Sequence, residues 1–196
     1  MTPKNLTASV RARLLNVAYK RAEDYELVLR RYALERFLYR LSQSPYVKQF
    51  VLKGAFLQNL WTSNAYRPTR DLDLLGYGRD DHAWIRSAIE GNCGTPDGES
   101  GLEFDMDTLR VDDIRDDQAY HGVRARLLCH LGGTRIPVQI DIGFGDVVVP
   151  EARQVAIPSL LGMPEPQVYT YTRESVIAEK LHAMVVLGMA NSRMKD

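Results

Sequence analysis

The stretch of residues 50–75, FVLKGAFLQNLWTSNAYRPTRDLDLL, constrains the fold more than any other part of the chain. Its apolar residues 50–52 predict a short strand that stops just before Gly54. The helix-forming residues 55–61 predict a helix directly after this glycine. The opening of the stretch is therefore typical of a strand, a glycine turn and a helix.

Two acids, Asp71 and Asp73, alternate with leucine at the end of the same stretch and predict a second strand over residues 71–75. Successive side chains of a strand point to opposite faces, so both carboxylates share one face, about 7 Å apart along the strand. Such a pair is repulsive unless a cation lies between its members. Mg²⁺ binds carboxylates together with phosphate oxygens, and a glycine lets the backbone approach a phosphate. The pattern favours metal-assisted phosphoryl or nucleotidyl transfer over the alternative, a solvated acidic edge strand.

A third acid, Asp141, lies in the middle of a predicted strand over residues 135–144, which Gly132-Gly133 joins to a strand over residues 122–130 as a hairpin. An acid at mid-strand is locally unfavourable and needs a reason. Asp146 is the competing candidate, but it lies in a glycine-rich turn where aspartate is common. We therefore favour Asp141 as the functional acid.

The net charge of the 196-residue chain is zero, with 25 acidic and 25 basic residues, so binding to a nucleic acid requires a local basic patch. Two helices predicted within residues 7–42, with the residues just before them, form the most basic part of the chain. Their side chains form either a solvated face or an RNA contact surface. The basic residues of this region are Lys4, Arg11, Arg13, Lys20, Arg21, Arg30, Arg31, Arg36 and Arg40.

Other features of the sequence are less specific. Cys93 and Cys129 are too few for a disulfide framework and indicate reduced thiols of a cytoplasmic protein. Neither a signal peptide nor a long apolar span is visible. The acidic residues 102–117 have no calcium-loop spacing and predict a solvated loop.

A helix predicted from residue 172 to about 189 carries Lys180 within an apolar arc. This spacing predicts that the lysine faces the protein body. A buried ammonium group is costly unless an anion meets it. Lys180 therefore either extends its ammonium group to the rim of the protein or meets an anion there.

Two motifs, Lys53-Gly54-Ala55 and Arg70-Asp71-Leu72-Asp73, resemble the AbiEii family of nucleotidyltransferase toxins from type IV toxin–antitoxin systems. This family lies within the DNA polymerase β-like superfamily. Residues 141–146, 178–183 and 193–196 resemble later motifs of the family in the same order. The chain departs from the family at Ala55 and Phe56, where a second glycine and a serine or threonine are frequent.

The resemblance implies the α/β (α+β) class and a polymerase-β-like fold, in which helices flank a mixed, mostly antiparallel sheet. It implies an N-terminal helical segment over residues 1–45 and a nucleotidyltransferase core over residues 46–172. Residues 173–196 would begin a C-terminal helical part that continues beyond this sequence.

The resemblance also implies transfer of a nucleoside monophosphate from an NTP to an RNA acceptor, with the 3′ end of a tRNA as the expected acceptor. An antitoxin would restrain this activity in the cytoplasm, without a membrane partner. Two alternatives remain open: a metal-dependent phosphodiester hydrolase, and a non-catalytic module that binds nucleotide or RNA.

The resemblance also implies roles for particular residues. Mg²⁺ would be held by Asp71, Asp73 and Asp141. Gly54 would admit the triphosphate, with Lys53 and Arg70 as phosphate or ion-pair partners. Lys180 would be functional, and Asp196 would orient Lys180 or the nucleotide.

Overall fold

The computed structural model describes residues 3–61, 69–114 and 122–187. Their strands form one seven-stranded sheet in the order β3-β4-β5-β2-β1-β7-β6. The β2–β5 and β1–β7 pairs are parallel, and the other four pairs are antiparallel. The expected mixed, mostly antiparallel sheet is confirmed. The strands are β1 (Phe50–Lys53), β2 (Leu72–Gly76), β3 (Leu102–Asp113), β4 (Gly122–Leu131), β5 (Thr134–Phe144), β6 (Arg153–Ala156) and β7 (Gln167–Thr170).

Helices pack around this sheet, and the second of them is the most deeply buried. The helices are α1 (Pro3–Arg21), α2 (Tyr25–Gln43), α3 (Gln58–Trp61), α4 (His82–Cys93) and α5 (Arg173–Leu187). Asp24 caps α2 by accepting hydrogen bonds from the backbone N–H groups of Glu26 and Leu27, at 2.8 and 3.2 Å. None of the helices in the described ranges is both long and apolar enough to cross a membrane.

The core lies between α2 and the inner face of the central strands. Phe37, Leu38 and Leu41 of α2 are buried, as are Ile140 and Ile142 of β5. Because side chains alternate along a strand, burying these isoleucines turns Asp141, which lies between them, to the opposite face. The alternation of side chains that buries the two isoleucines thus also determines that Asp141 points away from the core.

The structure corrects two interpretations of the sequence near the glycine turn and in the acidic stretch. Residues 55–61 do not form one helix, because a 3₁₀ turn over Gly54–Leu57 precedes the short α3. Residues 102–113 form the long edge strand β3, so the predicted solvated loop is wrong over this range. The acids Glu103 and Asp107 are exposed, whereas Leu102 and Leu109 are buried against the core. Because this half-buried strand contains many acidic residues, its sequence was interpreted as a solvated loop.

A buried ionic network corrects part of the predicted basic surface. Arg36 is only 1% exposed, and its Nε and Nη2 atoms donate to the two carboxylate oxygens of Asp97, both at 2.9 Å. Arg40 is also buried and donates to the backbone carbonyl groups of Cys93 and Leu102. Neither arginine is available to RNA. By contrast, Arg11, Arg13, Lys20 and Arg21 on α1 are exposed, and their contact with RNA stays a prediction.

Candidate active site

The three candidate metal-binding acids come from two neighbouring strands. Asp71 directly precedes β2, and Asp73 lies within it. Strand β2 pairs in parallel with β5, in a register that makes the Cα atoms of Asp73 and Asp141 partners. Neighbouring strands lie about 4.8 Å apart, and both acids point away from the core. The fold therefore brings together carboxylates that are 68 residues apart in the chain (141 minus 73).

The electrostatics of these acids show an excess of negative charge. Burial, followed by repulsion from Asp141, raises the pKa of Asp73 to about 6, although Lys53 opposes this shift. Burial and repulsion from Asp141 also raise the pKa of Asp71, against the attraction of Arg124. The deprotonated carboxylates on the open face of these two central strands therefore repel one another, and an added cation would relieve this repulsion.

Arg124 of β4 holds the third acid in place. Its Nε and Nη2 atoms donate to the two carboxylate oxygens of Asp141, at 2.8 and 2.7 Å. Such a bidentate pair fixes the orientation of the carboxylate. Arg124 was not predicted as a site residue, yet the sequence contains a signal for it. The two-residue hairpin at Gly132-Gly133 pairs Leu131 with Thr134, and counting back along both strands pairs Arg124 with Asp141.

Gly54 lies directly against Asp73. Its φ angle is +73°, which side-chain-bearing residues rarely adopt. A Cβ atom at this position would also lie only 2.1 Å from Oδ2 of Asp73. The glycine is therefore required by two independent features, the left-handed backbone and the space that the carboxylate occupies. From the sequence, Gly54 was expected to let a phosphate approach the backbone, and its contact with Asp73 was not predicted.

Lys53 forms a second charged group beside the three acids. Its Nζ atom donates to Asp146 and to Glu179 of α5, both at 2.7 Å. Burial lowers the pKa of Lys53, but the two carboxylates outweigh it, and the pKa is raised. The hydroxyl group of Tyr171 also donates to Asp146, at 3.2 Å. Asp146 is thus a partner of Lys53, while the strand register places Asp141 opposite Asp73.

The other candidates lie at the periphery or outside the described residues. Arg70 is exposed and lines a cavity together with Asp71. Lys180 is half-buried on α5, and Asp196 lies outside the described part of the chain. The predicted burial of the apolar arc around Lys180 is wrong, because Ile177 is 58% and Leu181 57% exposed. Helix α5 instead buries Ser175 and Val176 and directs Glu179 to Lys53.

The donor chemistry of the three acids fits a hard divalent cation. Carboxylate oxygens are the ligands that Mg²⁺ prefers, and the missing Cβ atom of Gly54 leaves the space that the carboxylate of Asp73 occupies. Within the described ranges, no three His, Cys, Asp or Glu side chains already form a ready-made metal cluster. Arg124 accounts for part of this, since it holds both oxygens of Asp141. A cation would be held first by Asp71 and Asp73, with Asp141 as the further acid.

Comparison with known proteins identifies relatives of this chain. Two crystal structures from Helicobacter pylori are similar to it. The first, JHP933, is 14% identical with a TM-score of 0.48, over 82% of this chain and 58% of its own. The second, a protein to which nucleotidyltransferase activity is ascribed, is 15% identical with a TM-score of 0.46, over 76% of this chain and 55% of its own. The chain thus spans little more than half the length of either protein.

No curated protein matches the chain. A family model described as "Nucleotidyl transferase AbiEii toxin, Type IV TA system" matches residues 36–196, which is most of the sequence. The chain belongs to the AbiEii family of nucleotidyl transferase toxins of type IV toxin–antitoxin systems.

Proposed function

We propose that this protein transfers a nucleoside monophosphate from an NTP to an RNA acceptor in a Mg²⁺-dependent reaction. It would act in the cytoplasm as the toxin of a type IV system and would be restrained by an antitoxin protein. The observation that carries the proposal is the parallel register of β2 and β5, which sets Asp73 beside Asp141. The acceptor that the family resemblance favours is the 3′ end of a tRNA.

In this proposal, the acids divide the work between them. A divalent cation, when bound, neutralises charge on the triphosphate and lowers the pKa of the attacking hydroxyl group. Asp71 and Asp73 would hold it, and Asp141 orients the acceptor hydroxyl group and takes up its proton as the oxygen bonds to the α-phosphorus of the NTP and pyrophosphate leaves. Arg124 releases one or both oxygens of Asp141 when the substrates arrive. Most of the rate enhancement then comes from positioning and electrostatics.

The residues on the β1 side would face the triphosphate. Gly54 leaves its backbone open to the approach of a phosphate. Lys53 stays bound to Asp146 and Glu179 and keeps α5 in position, so its effect on phosphate is electrostatic. Lys180 and Asp196 keep the roles that the family resemblance implies, in contact with the nucleotide.

One experiment separates the proposed transfer from the two alternatives. The protein is incubated with Mg²⁺, total RNA and each of the four NTPs labelled at the α-phosphate, and the RNA is resolved on a denaturing gel. Lengthened, labelled RNA is the expected result. Shortened RNA would indicate a phosphodiester hydrolase, and binding without any product would indicate a non-catalytic module.

A further inference from the structure

An arginine-rich cavity of about 380 Å³ lies on the side of Asp71 that is remote from Gly54. It extends from Asp71 across β5 and β4 to β3, whereas Gly54 and Lys53 lie on the β1 side of the acids. Its positive charge comes from four separate parts of the chain. The arginines that line it are Arg30 of α2, Arg70, Arg110 of β3 and Arg126 of β4.

The charge of this cavity is not balanced from within. Asp71 is the one acid among the lining residues in the described ranges, against four arginines. Arg126 has a partner outside the lining, Asp112 at 2.6 Å, but both side chains are more than half exposed. Exposed pairs of this kind contribute little and exchange readily for another anion. The Nε atom of Arg30 is buried without a hydrogen-bond partner in the described residues.

The floor of the cavity is apolar. Its accessible apolar surface comes from Leu128 and Pro137, while Leu127 and Val138, which also line it, are almost fully buried. Sites for single-stranded nucleic acids combine a positive groove, which follows the phosphates, with surfaces against which bases lie. Guanidinium groups both bind phosphate in a bidentate manner and stack on planar rings.

We propose that this cavity binds the 3′-terminal single-stranded nucleotides of the RNA acceptor, with phosphates on Arg110 and Arg126 and a base on the apolar floor. Strands β4 and β5 lie between β2 and β3, so the cavity spans three inter-strand spacings, or about 14 Å. This extent suits a strand that leads into the acids better than a single triphosphate. Arg30 and Arg70 lie nearest the acids, since both lower the pKa of Asp71 against the effect of burial. The identity of the ligand as the acceptor rests on the proposed function.

The test compares two double variants in which two exposed positive charges are removed. Arg110→Gln with Arg126→Gln changes the cavity, and Lys48→Gln with Arg79→Gln is the matched control away from it. The first probe is a fluorescein-labelled single-stranded RNA of about twelve nucleotides, titrated by anisotropy without NTP. The second is a non-hydrolysable NTP analogue, titrated with Mg²⁺ by calorimetry.

The cavity variant should bind RNA at least tenfold more weakly than wild type. The slope of log affinity against log salt should fall by about 1.4, which is about 0.7 for each lost phosphate contact on a single strand. The affinity for the NTP analogue should change less than twofold, and the control variant should match wild type in both assays. All variants are compared by melting temperature, and each exposed substitution should leave it within about 2 °C.

Three results would overturn the inference: wild type that does not bind the RNA, unchanged RNA affinity in the cavity variant, and loss of NTP affinity in place of RNA affinity. Loss of NTP affinity would mean that the arginines bind the triphosphate.

A failure of the proposed function would give a different result from a failure of this inference. RNA that binds through these arginines but is never lengthened would contradict the transfer reaction and leave the RNA site in place.

Discussion

Two charged clusters in this molecule differ in how completely their charges are paired. In the core, Arg36 is fully buried and is bound by both oxygens of Asp97, while Glu35 accepts from Ser159 Oγ and from the N–H group of Leu160, both at 2.8 Å. On the open face of the central strands β2 and β5, three carboxylates face one another, with Arg124 and Lys53 among the nearby cations. The first cluster satisfies its hydrogen bonds within the protein. The second keeps an excess of negative charge.

This difference separates a structural network from a binding site. Buried charges that are fully paired connect α2 to the loops around Asp97 and Leu160 and offer nothing to a ligand. Carboxylates whose pKa values are raised by burial and by mutual repulsion are held at a cost in stability. That cost is expected only where a cation or substrate compensates it.

The largest expected effect follows from removing one of the three acids. Asp73→Asn should lower nucleotide transfer at least about a thousandfold, or about 4 kcal/mol, because a charged ligand of the cation is lost. Its melting temperature without metal should equal or exceed that of wild type, because repulsion from Asp141 is relieved. Transfer is measured at saturating NTP.

The control for this variant is Asp113→Asn, which changes an exposed acid on β3 that pairs with His82 at 2.7 Å. It should transfer at the wild-type rate. A folded Asp73→Asn protein that transfers within tenfold of wild type would contradict the assignment of the site.

The opposite response is expected in the core cluster. Asp97→Asn removes the bidentate counter-charge of Arg36 and leaves only the carboxylate of Glu35, 3.8 Å from its Nη1 atom. The free energy of unfolding should therefore fall by about 3 kcal/mol. For a chain of this size, the melting temperature should fall by about 10 °C. Circular dichroism during heating measures this. Asp113→Asn again serves as the control, and its exposed pair should cost less than about 1 kcal/mol. A loss in Asp97→Asn as small as in the control would show that the two clusters are not different.

A smaller effect on the free energy of unfolding is expected when the pH is changed. The pKa of Asp73 is about 6 in the folded protein and about 3.9 in the unfolded chain. Between these values the folded state holds a proton that the unfolded state lacks, so stability rises as pH falls. From pH 8 to pH 5, wild type should gain about 1.4 kcal/mol relative to Asp73→Asn.

Urea unfolding of both proteins without metal, at several pH values, measures this gain. Taking the difference between the two proteins removes the contributions of groups that Asp73 does not influence. A difference that does not depend on pH would mean that Asp73 is not repelled by its neighbours.

The sequence predicted those features that depend on local pattern. The strand ending at Gly54, the hairpin at Gly132-Gly133 and the outward direction of Asp141 follow from turn residues and from the alternation of side chains. The Arg124–Asp141 pair was also within reach, since the length of the hairpin loop sets its register.

Features that depend on packing between distant segments could not be predicted from the sequence. Nothing near Arg36 in the sequence indicates that Asp97, 61 residues away, would bury it. Helical periodicity correctly predicted α5, but it did not reveal which face of the helix packs against the protein. As a result, Lys180 was expected inside and Glu179 was overlooked, although Glu179 is the residue that binds Lys53.

The central claim, that the acids of β2 and β5 form an excess of charge made for a divalent cation, is tested most directly by thermal unfolding in a Mg²⁺ titration. NTP and RNA are omitted, and ionic strength is held constant with NaCl. A cation that binds the folded state alone stabilises it, so the melting temperature of wild type and of Asp113→Asn should rise by about 3 °C or more at saturation. Asp73→Asn should show less than about a third of this rise, because one ligand is lost. Equal rises in wild type and Asp73→Asn would show that the cation binds elsewhere and would contradict the account.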